Sequence, residues 1–447
     1  MEKTKDLTEG KIIKGLVNFA IPIFFALVLQ SLYGAVDLMV VGQFAETSDV
    51  SGVSTGGLLM QTFTMIIVGL AMGVTILIAQ FIGKKERENA GKAVGTSLCL
   101  FTVIGIVLSL VLGIFSRSFT YMLSTPVEAV EQTNMYIKIC GLGTLFIVAY
   151  NVLGAIFRGI GDSRTPLLTV GISCVLNILG DLLFVAVFKM GASGAALATV
   201  LSQGISVIVS LVIIVKKELP FDFSRSYIRF DKEIVSEELK LGIPIALQEF
   251  LVGISFMVIQ MVANSFDVVS SAGVGIGDKV CAFIMLVPSA YMQAIATFVA
   301  QNLAAQKPNR VKSAMKFAII SSLVTGTLIG AFSFFKGDLL TAIFAKDPNV
   351  IEAGFLYLKG YAIDCIFVSL LFCLIGYFNG RGNTVFVMLQ GIIGAIAIRV
   401  PVTFIMSALP ETSLFLIGLA TPCASLVQIL LCLGYFKISK RENKQAV

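Results

Sequence analysis

The sequence predicts an all-α integral membrane protein with about twelve transmembrane helices. The helices are expected to form two parallel six-helix bundles, related by a pseudo-two-fold axis along the membrane normal. Composition, charge-poor segments and an internal repeat lead to this fold. Hydrophobic residues make up 57% of the 447-residue chain and charged residues 13%, whereas a soluble domain has about 45–50% and about 25%. This excess is typical of multi-span membrane proteins.

Charge-poor segments long enough to cross a bilayer follow one another along the chain. A helix of about 20 apolar residues spans the hydrocarbon core. Lipid offers no partner to free backbone groups, so each segment is predicted to be helical. The twelve segments are 15–45, 50–83, 93–116, 132–157, 165–188, 190–215, 241–266, 275–306, 317–335, 353–380, 382–410 and 412–436.

Basic residues in the short loops predict the orientation. An even number of spans puts both chain ends on one side, and a cytoplasmic N-terminus places 25 of the 33 lysines and arginines in cytoplasmic segments, as the positive-inside rule requires. The predicted domains are a cytoplasmic N-terminal segment 1–14, an N-lobe bundle 15–215, a cytoplasmic linker 216–238, a C-lobe bundle 239–437 and a cytoplasmic tail 438–447.

The two halves of the chain resemble each other at a shift of about 221 residues. Because six is even, two copies of a six-helix unit have the same orientation, and the repeats are parallel. In transporters built from repeats, the site lies near the midplane, and one bundle rocks against the other. The matching segments are AIPIFF (20–25) with GIPIAL (242–247), IAQFIGKKE (78–86) with VAQNLAAQK (299–307), and FRGIGDS (157–163) with FNGRGNT (378–384).

The composition also excludes several kinds of chemistry. The chain has no histidine, which rules out a His–Ser–Asp triad, an H-E-x-x-H zinc site and a histidine proton relay. It has no G-x-x-x-x-G-K-[ST] loop for ATP and no C-x-x-C pair, so its eight cysteines are interpreted as small buried apolar residues. We therefore expect no enzyme and no cofactor. Because the basic residues lie in the short loops, where positive charge is a signal of topology, we also expect no nucleic-acid partner.

A carboxylate in the first span needs an explanation. Asp37 lies in LYGAVDLMVVGQF (32–44), and a charge at the bilayer centre costs about 2.5–3.5 kcal/mol or more. Tyr33 and Gln30 lie four and seven residues earlier, on the same helical face. This polar stripe is better suited to a bundle interior than to lipid, and Gln30 and Tyr33 are candidates for a substrate cleft.

Polar residues of the fifth and sixth spans complete a candidate cation site. Asn177 and Asp181, in SCVLNILGDLLFV, are four residues apart and share a face, and GASGAALATVLSQG adds Thr199 among small residues suited to close packing. Together with Asp37 these hard oxygen ligands suit Na⁺, or a proton shared between carboxylates. The alternative is that they are helix-end residues or a structural ion pair.

The second half offers another polar group, with two interpretations. Gln248 and Glu249 in the seventh span, with Tyr361 and Asp364 in the tenth, form a candidate second cation or substrate site. Alternatively, Arg399 of the eleventh span pairs with Asp364 and holds it charged in a structural role. Asp278 and Lys279 are predicted at a helix start near the membrane interface.

Several of these segments together resemble the multidrug and toxic compound extrusion (MATE) transporters, and most closely the bacterial DinF/MepA-like branch. The resemblance covers roughly residues 10–437. The segments that carry it are LYGAVDLMVVGQF, ILIAQFIGKKE, FRGIGDSRTPLL, SCVLNILGDLLF, GASGAALATVLSQG, VAQNLAAQ and YFNGRGNT.

The resemblance implies a cation-coupled antiporter, driven by H⁺ or Na⁺, that exports cationic or amphiphilic organic compounds across the bacterial plasma membrane. It carries a cation site onto Asp37, Asn177, Asp181 and Thr199. The spacing from Tyr361 to Asp364 is one residue shorter than the family pattern, which weakens a cation site in the second half. We expect a monomer. The main alternative is a flippase for a lipid-linked precursor, from the same superfamily.

Overall fold

The computed structural model describes residues 7–216, 219–221 and 223–445. Residues 1–6, 217, 218, 222, 446 and 447 lie outside this description; they belong to the predicted N-terminal segment, linker and tail. Within the described ranges all regular secondary structure is helical, and turns and bends connect the helices. This agrees with the lipid environment, in which a helix satisfies its backbone hydrogen bonds internally.

Eighteen α-helices follow one another in the described part of the chain. They are α1 Ile12–Phe44, α2 Thr47–Lys84, α3 Arg87–Ile114, α4 Ser116–Met122, α5 Val130–Leu142, α6 Thr144–Gly159, α7 Arg164–Asp181, α8 Gly191–Lys216, α9 Lys232–Asn264, α10 Val268–Ile284, α11 Leu286–Ala304, α12 Pro308–Thr341, α13 Pro348–Ala362, α14 Asp364–Gly380, α15 Thr384–Ile392, α16 Val400–Ser407, α17 Leu414–Gly418 and α18 Ala420–Gln445. Short 3₁₀ turns lie at Val127–Ala129 and Arg225–Tyr227, and π-helical stretches at Leu182–Val187 and Ile393–Arg399.

The predicted number of membrane spans is confirmed. Among the described residues, ten helical segments are long and apolar enough to cross a membrane. Two further spans are bent helix pairs: Val127–Leu142 with Thr144–Gly159, at 52°, and Pro348–Ala362 with Asp364–Gly380, at 47°. Counting each pair as one span gives the twelve spans that the sequence predicts.

The chain forms two compact units. Unit 1 comprises residues 1–246 and 300–307, and unit 2 comprises 247–299 and 308–447. Each has its own apolar core: Ile78, Val152 and Phe157 belong to a core of unit 1, and Val274 and Ile417 to a core of unit 2. The predicted lobe boundaries stay a prediction.

The repeated segments adopt the same backbone geometry in both halves. Lys85 and Gln306 end their helices with φ of 62° and 56°, and Gly161 and Gly382 have φ of 85° and 84°. At the second pair, the backbone N–H of Asp162 donates a hydrogen bond to the Phe157 carbonyl oxygen, and that of Asn383 donates to the Phe378 carbonyl oxygen, both at 2.9 Å. This is a Schellman-type helix end, which favours glycine because φ is positive. The sequence repeat FRGIGDS/FNGRGNT therefore encodes a helix stop.

Two irregular features also occur once in each half. The fourth and tenth spans are the bent ones, with breaks at Gly143 and Ile363. The fifth and eleventh spans contain the π-helical stretches, which begin directly after Asp181 and end at Arg399. Interrupted helices at corresponding positions of two repeats commonly mark the binding region of a transporter, and π-helical turns are frequent at functional sites.

Candidate cation-binding site

Asp37 is buried in unit 1 although it carries a carboxylate. It lies on α1, which packs against α7, and only 5% of its surface is exposed. Val40 and Val41, in the next turn of α1, are buried in an apolar core of the same unit. Asp37 therefore faces the interior of the bundle, as the polar stripe of the first span predicts.

Asn177 and Asp181 lie one turn apart at the end of α7. They are 1% and 0% exposed, and the π-helical stretch begins after Asp181. A Cβ atom at Gly180 would lie 2.9 Å from Cβ of Ala198 on α8, so the close approach of α7 and α8 depends on the missing side chain at residue 180. The small residues of the sixth span thus bring α8 to the polar face of α7.

Thr199 on α8 connects these side chains. Its hydroxyl donates a hydrogen bond to Oδ2 of Asp37 at 3.3 Å and accepts one from Nδ2 of Asn177 at 3.4 Å. The carboxyl groups of Asp37 and Asp181 adjoin each other. The structure therefore brings together the four residues that the sequence singles out, from three different helices.

Several oxygen atoms of this group are buried without a hydrogen-bond partner in the described structure. They are Oδ1 of Asp37, Oδ1 of Asn177 and both carboxylate oxygens of Asp181. A buried carboxylate oxygen without a partner is costly unless a proton or a cation neutralises it. Within the described residues, no three Cys, Asp or Glu side chains converge as they would for a transition metal. The donor set fits a hard monovalent cation or a proton.

A second hydrogen bond lies one turn from Asp37. Nε2 of Gln203 on α8 donates to the hydroxyl of Tyr33 on α1 at 3.1 Å. Gln203 is buried, whereas Tyr33 and Gln30 are half-buried. The sequence prediction missed Gln203. The signal was present, because Gln203 follows Thr199 by four residues and so shares its helical face.

The second predicted polar group is only partly assembled in unit 2. Tyr361 and Asp364 lie on the consecutive helices α13 and α14 and are 2% and 1% exposed. Gln248 on α9 is buried, and its side chain packs against the backbone at Gly391 on α15. Glu249, the next residue, is half-buried.

The position of Asp278 in its helix and the partner of Arg399 differ from what the sequence suggests. The expectation that Asp278 and Lys279 begin a helix is wrong: α10 begins at Val268, and Asp278 lies three turns inside it. There Asp278 Oδ1 accepts a hydrogen bond of 3.0 Å from the Tyr357 hydroxyl. The Arg399 guanidinium donates to Ser255 Oγ at 2.7 Å. It forms no direct ion pair with Asp364 in the described structure.

Comparison with known protein families shows to which family this chain belongs. The model of the MatE family matches residues 22–183 and again residues 244–405. The chain belongs to the MatE family. The two matches also confirm the internal duplication, because their starts and their ends are displaced by close to the predicted shift. Members of the MatE family are transporters, and this chain is a multi-pass membrane protein.

Curated relatives of this MatE protein align over most of their length. The probable multidrug resistance protein YpnP of Bacillus subtilis is 28% identical over 407 residues, which cover 91% of each chain. The multidrug export protein MepA of Staphylococcus saprophyticus is 24% identical over 409 residues, covering 90% of this chain and 88% of its own.

Solved structures show the same fold. A multidrug resistance MATE family transporter of the MOP superfamily, solved in an outward-facing conformation, superposes with a TM-score of 0.91. It covers 99% of both chains at 20% identity. The predicted fold class and the predicted family membership are therefore confirmed.

Proposed function

We propose that the protein is a cation-coupled multidrug antiporter that exports cationic or amphiphilic organic compounds by alternating access of its two bundles. The relatives named as multidrug resistance and multidrug export proteins support the substrate class. The coupling ion is H⁺ or Na⁺, and it binds at Asp37, Asn177, Asp181 and Thr199. The transporter works in the plasma membrane with both chain ends in the cytoplasm.

The unpartnered oxygens beside Asp37 and Asp181 carry this proposal. Two adjoining carboxylates in a buried site repel each other when both are charged, and a proton or Na⁺ removes this repulsion. Asn177 and Thr199 add two neutral oxygens to the same site. A site of this composition takes up a cation from one side and releases it when water enters from the other.

The position of Asp37 on α1 suggests how cation binding acts on the substrate. Asp37 is on α1, whereas Asp181 is on α7, so neutralising the pair changes the force between these two helices. Tyr33 and Gln30 lie one and two turns before Asp37 on the same face of α1. A shift of α1 would therefore reach the candidate substrate cleft. In this cycle the inward-facing state binds the drug and the outward-facing state binds the cation.

The membrane potential sets a condition on the stoichiometry. Each charge that crosses the membrane gains about 2.3 kcal/mol per 100 mV. A monovalent drug exchanged for one monovalent cation moves no net charge and gains nothing from the voltage. Two cations per drug would use the potential, and the two carboxylates of the site can accommodate two protons.

Transport by purified protein in liposomes tests the proposal. Liposomes loaded with a fluorescent cationic dye receive a proton gradient or, separately, a sodium gradient. We expect one of the gradients to drive dye movement, and we expect Asp37→Asn to abolish this movement because it removes a charged cation ligand. Glu128→Gln, a change at an exposed carboxylate of the same unit, is the control and should transport normally.

Two outcomes would contradict this assignment. Dye movement that survives Asp37→Asn would move the coupling site away from unit 1 and towards Glu249 and Asp364. If neither gradient moves any of several dyes, cation-coupled drug export is wrong. The next assay would then be flipping of a lipid-linked precursor.

A further inference from the structure

Unit 2 contains a buried group of charged side chains that differs from the site of unit 1. Arg399 is 5% exposed and Asp364 is 1% exposed, and both lie in membrane-spanning segments. Asp278 on α10 is half-buried and, like Asp364, lies close enough to Arg399 to interact with its charge. Two acids and one base thus share the interior of one unit.

The guanidinium of Arg399 is held in place by α9. Nη1 donates to Ser255 Oγ at 2.7 Å, and the guanidinium carbon lies 4.3 Å from the centre of the Phe256 ring. Phe256 packs against the buried cluster that includes Tyr357 and Tyr361. The positive charge is therefore anchored by a hydrogen bond and a cation–π contact. It can act on nearby carboxylates without touching them.

Each acid also occupies a position that favours a negative charge. Asp278 accepts the hydrogen bond of the Tyr357 hydroxyl, and Asp364 lies in the first turn of α14, where the helix dipole favours an anion. Oδ1 of Asp364 is buried without a hydrogen-bond partner in the described structure, as are the oxygens of Asp181 in unit 1, but here the positive charge of Arg399 acts on the carboxylate. The other ionisable groups around this cluster are thiols and phenols, namely Cys281, Tyr357, Tyr361, Cys365 and Cys423. Arg399 is thus the positive charge that faces both acids.

The charges around the buried acids differ between the two units. Asp37 and Asp181 have Thr199 and Asn177 as neighbours and no basic side chain among the groups that act on them. Arg399 lies on the eleventh span, which is the counterpart in the second family match of the fifth span that carries Asn177. The duplicated span of unit 2 thus carries a fixed cation, whereas the corresponding span of unit 1 carries a neutral amide.

We propose that Arg399 is a built-in counter-ion for Asp364 and Asp278, so that unit 2 needs no transported cation and all ion coupling belongs to unit 1. The inference rests on the proposed cation-coupled transport. Arg399 never leaves its site, and its charge cannot be released during the cycle. It therefore determines how many cations the transporter binds, and it removes the second half from the coupling reaction.

Cation binding in the Asp37→Asn background tests the inference. This change is combined with Asp181→Asn, because Asp181 alone can still hold a proton, and residue 399 is then Arg, Lys or Gln in protein reconstituted in nanodiscs. Bound radioactive sodium is measured at fixed pH, and protonated carboxyl groups are measured by their infrared band. We expect the Arg and Lys versions to bind no cation and the Gln version to gain about one sodium or one proton per protein. Adding Asp364→Asn should remove the gained cation.

The outcomes that overturn the inference are distinct. It is wrong if the Gln version gains no cation. It is also wrong if the protein with Arg399 and Asp37→Asn still binds a cation that Asp364→Asn removes. A failure of the proposed function appears separately, as a wild-type protein that binds no more cation than Asp37→Asn.

A folding defect of Arg399→Gln is also informative. If that variant does not fold, the double variant Arg399→Gln/Asp364→Asn loses a positive and a negative charge together. Recovery of a folded protein in the double variant supports the counter-ion role. If the double variant also fails to fold while Asp364→Asn alone folds, Arg399 acts through its packing on Ser255 and Phe256, and the inference is overturned.

Discussion

The hydroxyl of Thr199 donates to Asp37 Oδ2 at 3.3 Å, across 162 residues of sequence. This contact joins α8 to α1 beside Asp181. The same hydroxyl accepts a hydrogen bond from Asn177, so Thr199 orients an amide and a carboxylate at once. Its removal should affect the affinity of the site more than the fold.

Thr199→Val tests this role because valine has nearly the same shape and no hydroxyl. Loss of one hydrogen bond to the site corresponds to about 0.5–1.5 kcal/mol. We therefore expect a two- to tenfold rise in the cation concentration that half-saturates dye transport, by the relation of about 1.4 kcal/mol per tenfold. Thr199→Ser keeps the hydroxyl and should behave like the wild type. An unchanged cation dependence in the valine variant would exclude Thr199 from the site.

Gly360 sets the distance between α13 and α17 in unit 2. A Cβ atom there would overlap the Phe415 carbonyl oxygen and would lie 2.9 Å from the Gly418 Cα atom. Gly360→Ala should therefore separate the helices and lower the free energy of unfolding by about 1–3 kcal/mol. Thermal unfolding of purified protein measures the effect.

Gly253→Ala is the matched control for the packing at Gly360. No atom lies within 4 Å of a Cβ built at Gly253, and alanine has the higher helix propensity. This variant should unfold at the wild-type temperature or slightly above it. Equal unfolding temperatures for the two alanine variants would show that close packing at Gly360 does not contribute to stability.

Asp267 caps α10 outside the membrane-spanning segments. Its carboxylate accepts hydrogen bonds from the Ser270 backbone N–H and hydroxyl, both at 2.8 Å, and these bonds lower the pKa of Asp267 below its ordinary value. Because the pKa of Asp267 is lowered, the charged cap stabilises the start of the helix fully at pH values above the ordinary pKa of an aspartate. The contribution is lost as the pH falls through the lowered pKa.

Hydrogen exchange at the start of α10 measures this dependence. After correction for intrinsic rates, protection of the Ser270 amide should decrease at acid pH in the wild type. In Asp267→Asn the side chain still caps the helix but does not titrate, so its protection should not change with pH. A wild-type profile that is flat in the same range would contradict the role of the carboxylate.

The local part of the candidate site is readable from the sequence because helical periodicity fixes which residues share a face. Asn177 and Asp181 are one turn apart, and so are Tyr33 and Asp37, so spacing alone places each pair on one face. Gln203 was missed although its spacing from Thr199 follows the same rule. Its partner is Tyr33, and periodicity gives no information on contacts between helices distant in sequence.

The error at Asp278 has a different origin. A charged pair inside an apolar stretch suggested a helix start, because charges are costly within a membrane span. The helix instead begins at Val268, after the Asp267 cap. Asp278 is accommodated inside the helix because Tyr357, 79 residues later, donates a hydrogen bond to it. The local sequence around residue 278 gives no information about a partner so distant in the chain.

Amino-acid order alone was sufficient for the helical membrane fold, the twelve spans, the duplication and the family. These depend on composition, on local periodicity and on a repeat in register, and each is a property of neighbouring residues. The three-dimensional packing was needed to show that Thr199 bridges Asp37 and Asn177, and that Arg399 binds Ser255 rather than pairing directly with Asp364. Such contacts depend on the packing of helices far apart in the chain, where small residues such as Gly180 set the distance.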